Sequence, residues 1–518
     1  MNLKNKISGA VQKIIDKLSG SGVMQDENTV NGKKFIFPDM PETALKAAEE
    51  GTVLLKNNGV LPLNINEKIA VFGRCQIDYF YVGYGSGGDV NQPYEINLID
   101  GLKNNGAKLN EKLLGIYNNW CKNNPVNHGF WGHWPMNYPE MELTESIVSD
   151  AAKDGETAVI VLGRAAGEDR ENKLEKGSYY LTDTEIKMLD LVTGAFKKTV
   201  VVMNCGNIID MSWVKKYGDK INAIIYAWQC GMESGNALAN ILTGKTNPSG
   251  KLTDTIAVNY EDYPSSKDFG NADFNNYTED IFVGYRYFET FDKTKVLFPF
   301  GFGLSYTDFE ITPNNFVYND KIKITATVKN IGKKEGKEVL QLYVKCPDDK
   351  LKKAKKSLVA FAKTKCLEPN EIESVDFEIN LYDIASYDEN TSSYIIEKGE
   401  YAFYIGNSVN TDLLAGTVNL DEQVVKKLTP ICPVQNPFKI ITGETLQNGK
   451  AVLKERIIEN LPSETGFKGD KGFKLIDVKN GKITLDEFIS QLTNKELEAL
   501  TRGQGKMDSE LGVIGNAG

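Results

Sequence analysis

Histidine is almost missing: the 518 residues hold two, His128 and His133, which leaves few candidates for histidine-based catalysis or a histidine-rich metal site. Cysteine is sparse as well. The seven present (Cys75, Cys121, Cys205, Cys230, Cys346, Cys366 and Cys432) are odd in number, far apart and never arranged as CxxC. Neither a disulfide framework nor a zinc site is indicated, and buried or idle thiols are the simplest reading. No stretch reaches the roughly 18 uninterrupted apolar residues of a membrane span. The opening MNLKNKISGAVQKIIDKLSGSG spreads its apolar positions at helical spacing and lacks the continuous apolar core of a signal peptide, so a cytoplasmic protein with no membrane partner is expected. Basic charge is not in surplus either. The formal net charge is −10, and no concentrated basic face of the kind that grips phosphates is visible, so no nucleic-acid partner is expected. Nucleophile-elbow, HExxH and EF-hand patterns are also absent.

What is present is an ordinary folding composition, 41% hydrophobic and 25% charged, in a chain too long for one core, so about two to four domains are expected. After a polar, glycine-containing leader, PETALKAAEEGTVLLKNNGVLPLN (Pro41 to Asn64) starts as an amphipathic helix and ends in a proline turn. KIAVFG (Lys68 to Gly73), TAVIVLG (from Thr157), TVVVMNCG (Thr199 to Gly206) and AIIYAWQCG (Ala223 to Gly231) are short apolar runs, each ending at glycine. Helical patterns such as DTEIKMLDLVTGAF separate the later ones. Apolar strands alternating with helices predict a mainly parallel sheet covered on both faces, with ligands off the C-terminal strand ends. From about Tyr306 the period changes to two, in KIKITATVKNIG, EVLQLYVKCP, ESVDFEINLYDIASYD and GEYAFYIGNS. That spacing predicts a β-sandwich of immunoglobulin or fibronectin type. The lysine-rich DDKLKKAKKS inside it reads as a solvated loop. Beyond about Leu420 the pattern weakens, until KITLDEFISQLTNKELEALTRGQGK (Lys482 to Lys506) predicts one or two helices with Thr484 as N-cap.

The residues that invite chemistry cluster in TAVIVLGRAAGEDREN (Thr157 to Asn172). Glu168 stands where a strand should end, preceded by Gly167 and neighboured by Arg170, and is suited to proton transfer. Burial would raise its pKa and Arg170 would lower it. Equally, Glu168, Asp169, Arg170 and Glu171 read as a surface salt-bridge cluster. The glycine-rich YVGYGSGGDVNQP, with Gly83, Gly85, Gly87 and Gly88, is a poor dinucleotide fingerprint: its third glycine falls too early and Pro93 sits where a helix should start. It is a plain turn or a substrate-lining loop. The aromatic insert NHGFWGHWPMNY (Asn127 to Tyr138) could stack on sugar rings, or be a packed loop or an oligomer contact.

Read together, AEEGTVLLKNNGVLPLN, VLGRAAGEDREN with GSYYLTDTE, WQCGMESGNALANILTGKTNPSGKLTDTIA, YEDYPS, DIFVGYRYFET and LFPFGFGLSYTDFEI form an ordered series. The series resembles family 3 glycoside hydrolases, specifically bacterial β-glucosidases with permuted domain order, and the resemblance covers about Pro38 to Asn410. It implies a multidomain α/β plus all-β fold. A leader (1–35) is followed by an α/β sandwich domain (36–305) and a fibronectin type III-like domain (306–420). A linker (421–480) and an incomplete start of a (β/α) barrel (481–518) complete the chain. It also implies retaining hydrolysis of terminal β-glucosyl residues, with Glu168 as general acid/base and Arg170, Asp169 and Ser86 as substrate-binding residues. β-Xylosidase activity and a non-catalytic carbohydrate-binding role are the alternatives. β-Glucosides or oligosaccharides are the implied ligands, and a homo-oligomer or a complementing barrel fragment the implied protein partner. No metal or organic cofactor is implied, because this chemistry uses carboxylates and hydrogen bonds. In such enzymes an Asp nucleophile sits on the barrel. No nucleophile motif occurs in the tail, whose Asp486, Glu487 and Asp508 are wrongly placed, and a barrel needs roughly 200 residues or more. A truncated chain, inactive alone, is therefore expected.

Overall fold

The computed structural model describes residues 29–30, 33–34, 37–85, 92–129, 133–168, 172–271, 273–428, 438–441, 445–447 and 466–502. It divides into two compact units, one made of Phe35–Leu428 with Asn436–Asn448, the other of Met1–Lys34, Thr429–Gln435 and Gly449–Gly518.

The larger unit begins with a five-stranded sheet of β1 (Val53–Asn57), β2 (Ile69–Phe72), β3 (Thr157–Arg164), β4 (Lys198–Cys205) and β5 (Ala223–Tyr226), in the spatial order β1-β5-β4-β3-β2. Strands β2 to β5 are mutually parallel, and β1 lies antiparallel along the outer edge of β5. The helices are α1 (Met40–Gly51), α2 (Leu98–Asn104), α3 (Glu111–Asn123), α4 (Glu145–Ala152), α5 (Asp183–Ala195), α6 (Trp213–Tyr217) and α7 (Ser234–Thr243). Because β2, β3, β4 and β5 add side by side in chain order, right-handed crossovers place α4, α5 and α6 on one face. Their Val148, Leu189 and Trp213 join Ala158, Ile160 and Leu162 of β3 in one core. On the other face Leu102 of α2 and Leu238 of α7 pack with Val159 and Val161 of the same strand. A strand buried on both faces cannot alternate apolar with polar, which is why these runs read as continuously apolar.

The expected helix and the expected proline turn at Leu61–Pro62 are both present, but a strand not expected from the sequence lies between them. VLLKN becomes β1, because a short apolar run next to a helix is ambiguous by periodicity and here finds the free edge of β5. Thr182 and Glu185 form a capping box that starts α5: the Thr182 hydroxyl accepts the Glu185 N–H at 3.2 Å and the Glu185 carboxylate accepts the Thr182 N–H at 2.7 Å.

A second region of the same unit is an antiparallel sandwich. Its strands are β6 (Phe309–Tyr318), β7 (Ile322–Asn330), β8 (Val339–Lys345), β9 (Ser357–Lys363), β10 (Ile372–Ile379), β11 (Ser386–Asp388), β12 (Ser393–Ile396), β13 (Gly399–Gly406), β14 (Leu414–Leu420) and β15 (Gln423–Lys427). Sheet β6-β7-β10 faces sheet β9-β8-β13-β14, and β11-β12-β15 forms a small third sheet. Along β7, Ile322, Ile324, Ala326 and Val328 are buried, meeting Leu342 and Phe403 from the facing sheet. This is the period-two signature of the sequence.

The loop DDKLKKAKKS is less solvated than expected. The side chains of Lys353 and Lys356 are buried and paired with Glu397 and Asp412, and burial pushes the Lys353 amine below its ordinary pKa. Charge runs read as solvated only when no partner is visible, and both partners lie more than forty residues further along the chain. The α/β region and the sandwich are stitched together by Glu50 of α1 with Lys337 and Lys363, and by Lys251 with Glu338 at 2.7 Å.

The larger unit also holds α8 (Tyr285–Thr290), and the described residues of the smaller unit form α9 (Leu475–Lys479), α10 (Leu485–Ile489) and α11 (Asn494–Arg502). Thr484 caps α10 as the sequence predicts, accepting the Glu487 N–H at 3.2 Å. Among the described residues no helix is long and apolar enough to cross a membrane.

Candidate active site

Strand β3 ends at Arg164, and the chain leaves the C-terminal edge of the sheet through Ala165, Ala166 and Gly167 to Glu168, which is exposed. The loop does not hang free. Tyr84 donates its N–H to Ala166 O at 2.8 Å and accepts the Glu168 N–H at 3.0 Å, so the glycine-rich loop after β2 forms a bridge with the Glu168 loop. Two glycines make this approach feasible. Gly85 has φ +103°, and a Cβ there would lie 2.3 Å from Glu168 Cβ and 2.9 Å from Oε2; Gly167 has φ +154°, and its Cβ would lie 2.3 Å from Tyr84 N. Two sequence stretches more than eighty residues apart therefore meet, through Tyr84 and Gly85 on one side and Ala166 to Glu168 on the other.

Below the loop, Arg164 is fully buried, at 0% exposure. Its guanidinium forks onto Glu185, each pair of atoms at 2.7 Å, and donates to Ser178 O at 3.0 Å and Tyr180 O at 3.2 Å. One side chain thus joins the strand end, the returning arm of the loop and the first turn of α5. Such bidentate, charge-assisted contacts hold geometry as well as energy.

The aromatic insert supports the loop from the side. Trp134, Met136 and Tyr138 are buried, Trp134 stacks on Tyr84 with centroids 5.6 Å apart, Tyr138 stacks on Phe80 at 4.4 Å, and Ala165 donates its N–H to Met136 O at 2.7 Å. For these residues the packed-loop reading holds. Their faces are occupied by protein rather than open to a sugar. Phe130, Trp131 and Gly132 lie outside the described residues, as do Ser86, Asp169, Arg170 and Glu171.

One titratable group in this neighbourhood has no sequence signal. Glu140, just after the insert, accepts the N–H of Arg74 at 2.6 Å and of Met141 at 2.7 Å. Enclosure of its carboxyl outweighs those two amides and raises its pKa to about 7 from an ordinary 4.5. A carboxyl whose folded pKa is raised contributes stability that is complete below the unfolded pKa and is lost as pH rises through the folded one. The unfolding free energy of the wild-type protein relative to Glu140→Gln should therefore fall by up to about 3 kcal/mol between about pH 5 and about pH 8. Urea melts of both proteins across that range measure it. A difference that stays constant with pH would contradict the enclosure.

In open α/β sheets ligands sit off the C-terminal ends of the parallel strands, and that is the edge from which the Glu168 loop leaves. Comparison with known proteins supplies the family. Residues 52–306 match the Glycosyl hydrolase family 3 C-terminal domain and residues 338–409 the Fibronectin type III-like domain. The chain belongs to glycoside hydrolase family 3. A β-glucosidase of Ruminococcus albus is 45% identical over 484 residues, covering 90% of this chain and 51% of that protein. Beta-glucosidase A of Butyrivibrio fibrisolvens is 37% identical over 545 residues, 89% of this chain and 64% of that protein. The solved structure of a β-glucosidase from Paenibacillus barengoltzii superposes with a TM-score of 0.82 at 40% identity, over 92% of this chain and 55% of that one. The chain spans about half to just under two thirds of the length of these relatives.

Proposed function

We propose that this chain forms part of a retaining β-glucosidase and that Glu168 is its general acid/base. In the first half-reaction Glu168 donates a proton to the glycosidic oxygen as the bond to the anomeric carbon breaks and a carboxylate nucleophile forms a glycosyl-enzyme. In the second it takes a proton from water, which displaces the nucleophile with net retention. The observation that carries this reading is the braced position of Glu168: exposed at the strand end, its backbone tied to Tyr84 and its loop anchored through Arg164 to Glu185. A proton donor must meet the leaving oxygen at hydrogen-bond distance, and a fixed backbone supports that. The glucosyl preference follows the names of the relatives. Asp169 and Arg170 follow Glu168 in sequence and Ser86 follows Gly85, and we assign all three to substrate hydroxyls.

The partner carboxylate would have to sit about 5 to 5.5 Å from Glu168 in a retaining enzyme. We assign it to a (β/α) barrel, begun by the segment after residue 481 and supplied in cis or in trans by polypeptide not contained in these 518 residues. The purified 518-residue protein should then give no detectable hydrolysis of an aryl β-glucoside, while the same chain extended through a barrel turns over. Robust activity of the short chain, lost on Glu168→Gln, would overturn the assignment of the nucleophile.

A further inference from the structure

The apolar run of β4 carries a buried amide near its end. Asn204, the next-to-last residue of that strand, is 0% exposed, and a side-chain amide so enclosed has to find its partners in the protein. It finds them in two loops. Its Oδ1 accepts the Phe80 N–H at 2.8 Å, and its Nδ2 donates to Phe80 O at 2.9 Å and to Trp228 O at 2.8 Å. The side chain therefore pairs with Phe80 as a neighbouring strand would, and holds the loop after β5 with its second N–H.

Both held segments lead to the Glu168 loop. From Phe80 the chain runs to Gly83, where a Cβ would lie 2.8 Å from Ala166 O, and then to Tyr84, whose backbone bonds both Ala166 and Glu168. On the other side, Trp228 has φ +55°, a left-handed backbone that a residue with a side chain keeps only where its surroundings impose it. Asn204 holds its carbonyl, and its indole donates to Gly51 O at 3.1 Å. The next residue, Gln229, donates to Arg164 O at 3.3 Å. Two residues past Asn204 there is no room for a side chain: a Cβ on Gly206 would lie 2.6 Å from Ala166 Cβ and 2.4 Å from Gln229 Oε1.

We propose that Asn204 is a positioning residue for proton transfer by Glu168, acting through the Phe80–Tyr84 segment and touching no substrate. The role presupposes that Glu168 is the general acid/base. Glu168 is exposed, and its backbone is tied to Tyr84, so the acid is placed only as well as Tyr84 is. Tyr84 in turn is placed by the chain leaving Phe80, which Asn204 grips by both its N–H and its carbonyl. A proton donor misplaced by about 1 Å loses on the order of 10²-fold in rate. Without the two donors of Asn204 the Phe80 carbonyl and the Trp228 carbonyl are released together, and the bridge to Glu168 drifts. The loss falls on leaving groups that need a proton.

The test is Asn204→Asp in the chain completed by its barrel. Aspartate keeps the shape and the acceptor for the Phe80 N–H but turns an oxygen toward the two carbonyls. kcat/KM on cellobiose should fall about 10- to 100-fold. Formation of the glycosyl-enzyme from 2,4-dinitrophenyl β-glucoside, read as dinitrophenol release, should stay within about threefold of the wild-type rate, because that leaving group needs little protonation. A merely structural defect lowers both alike, and an equal loss overturns the proposal. In a Glu168→Gln background the same substitution should cost less than about twofold on cellobiose, since the proton transfer it serves is already gone. An undiminished loss in that background overturns the role of Asn204 and leaves the acid/base assignment standing. If Glu168→Gln alone costs nothing on cellobiose, the acid/base assignment falls and this role with it. The wild-type 518-residue protein supplies a readout that needs no variant to fold. Hydrogen exchange at the Phe80 and Glu168 amides, one held by Asn204 and the other by Tyr84, should show protection within about tenfold of each other, as groups that open together do. A wider gap means that the grip on Phe80 does not reach Glu168, and overturns the proposal.

Discussion

Glu168→Gln is expected to lower kcat/KM on cellobiose by about 10²- to 10⁴-fold in the chain completed by its barrel, the range that a positioned general acid contributes. Glutamine keeps the size and one acceptor oxygen but has no acidic proton, so the glucose leaving group must depart as an alkoxide. The loss should depend on the leaving group. A 2,4-dinitrophenyl β-glucoside needs little protonation, so formation of the glycosyl-enzyme should proceed at close to the wild-type rate. Hydrolysis of that intermediate still needs a base and becomes rate-limiting. A burst of dinitrophenol followed by slow turnover, read by stopped-flow absorbance, is the expected trace. An equal loss on both substrates would mean that the residue acts by holding the loop, not by moving a proton.

The second large effect is on stability. Arg164→Met should destabilise the α/β region by about 3–5 kcal/mol, because it leaves Glu185 as a buried charge without its partner. For a region of this size that corresponds to a melting point lower by on the order of 10 °C. The double variant Arg164→Met/Glu185→Met should recover part of the loss, since removing both charges costs less than stranding one. It should not recover all of it, since Glu185 also closes the capping box with Thr182 at the start of α5. A single-variant loss under about 1 kcal/mol, of the kind seen for exposed ion pairs, would contradict the burial of the pair.

Much of this architecture is legible in the sequence. The four apolar runs ending in glycine became β2 to β5, because a strand covered on both faces advertises itself by unbroken hydrophobicity. The sandwich announced itself by period two in KIKITATVKN. What escaped was whatever depended on a distant partner. VLLKN needs the edge of β5 to become β1. Lys353 and Lys356 needed Glu397 and Asp412 to be drawn inward. At the site, Glu168 was visible from its strand end and from the ordered family motifs. Its supports were not. Arg164 looks like a polar full stop after an apolar run until Glu185, twenty-one residues later, is brought beneath it. The glycine-rich loop looked like a turn or a ligand loop until Gly85 was seen to pass within van der Waals contact of where Glu168 begins. Glu140 offered nothing to periodicity or motif, because enclosure by folded neighbours is what perturbs it.

The most direct measurement of the central claim is azide rescue of Glu168→Ala in the completed enzyme, with 2,4-dinitrophenyl β-glucoside as substrate. Azide needs no general base, so it should attack the accumulated glycosyl-enzyme, displace the nucleophile and raise turnover about 10-fold or more, releasing β-glucosyl azide with the anomeric configuration of the substrate. If azide leaves the rate unchanged and no glucosyl azide forms, Glu168 is not the acid/base of this enzyme.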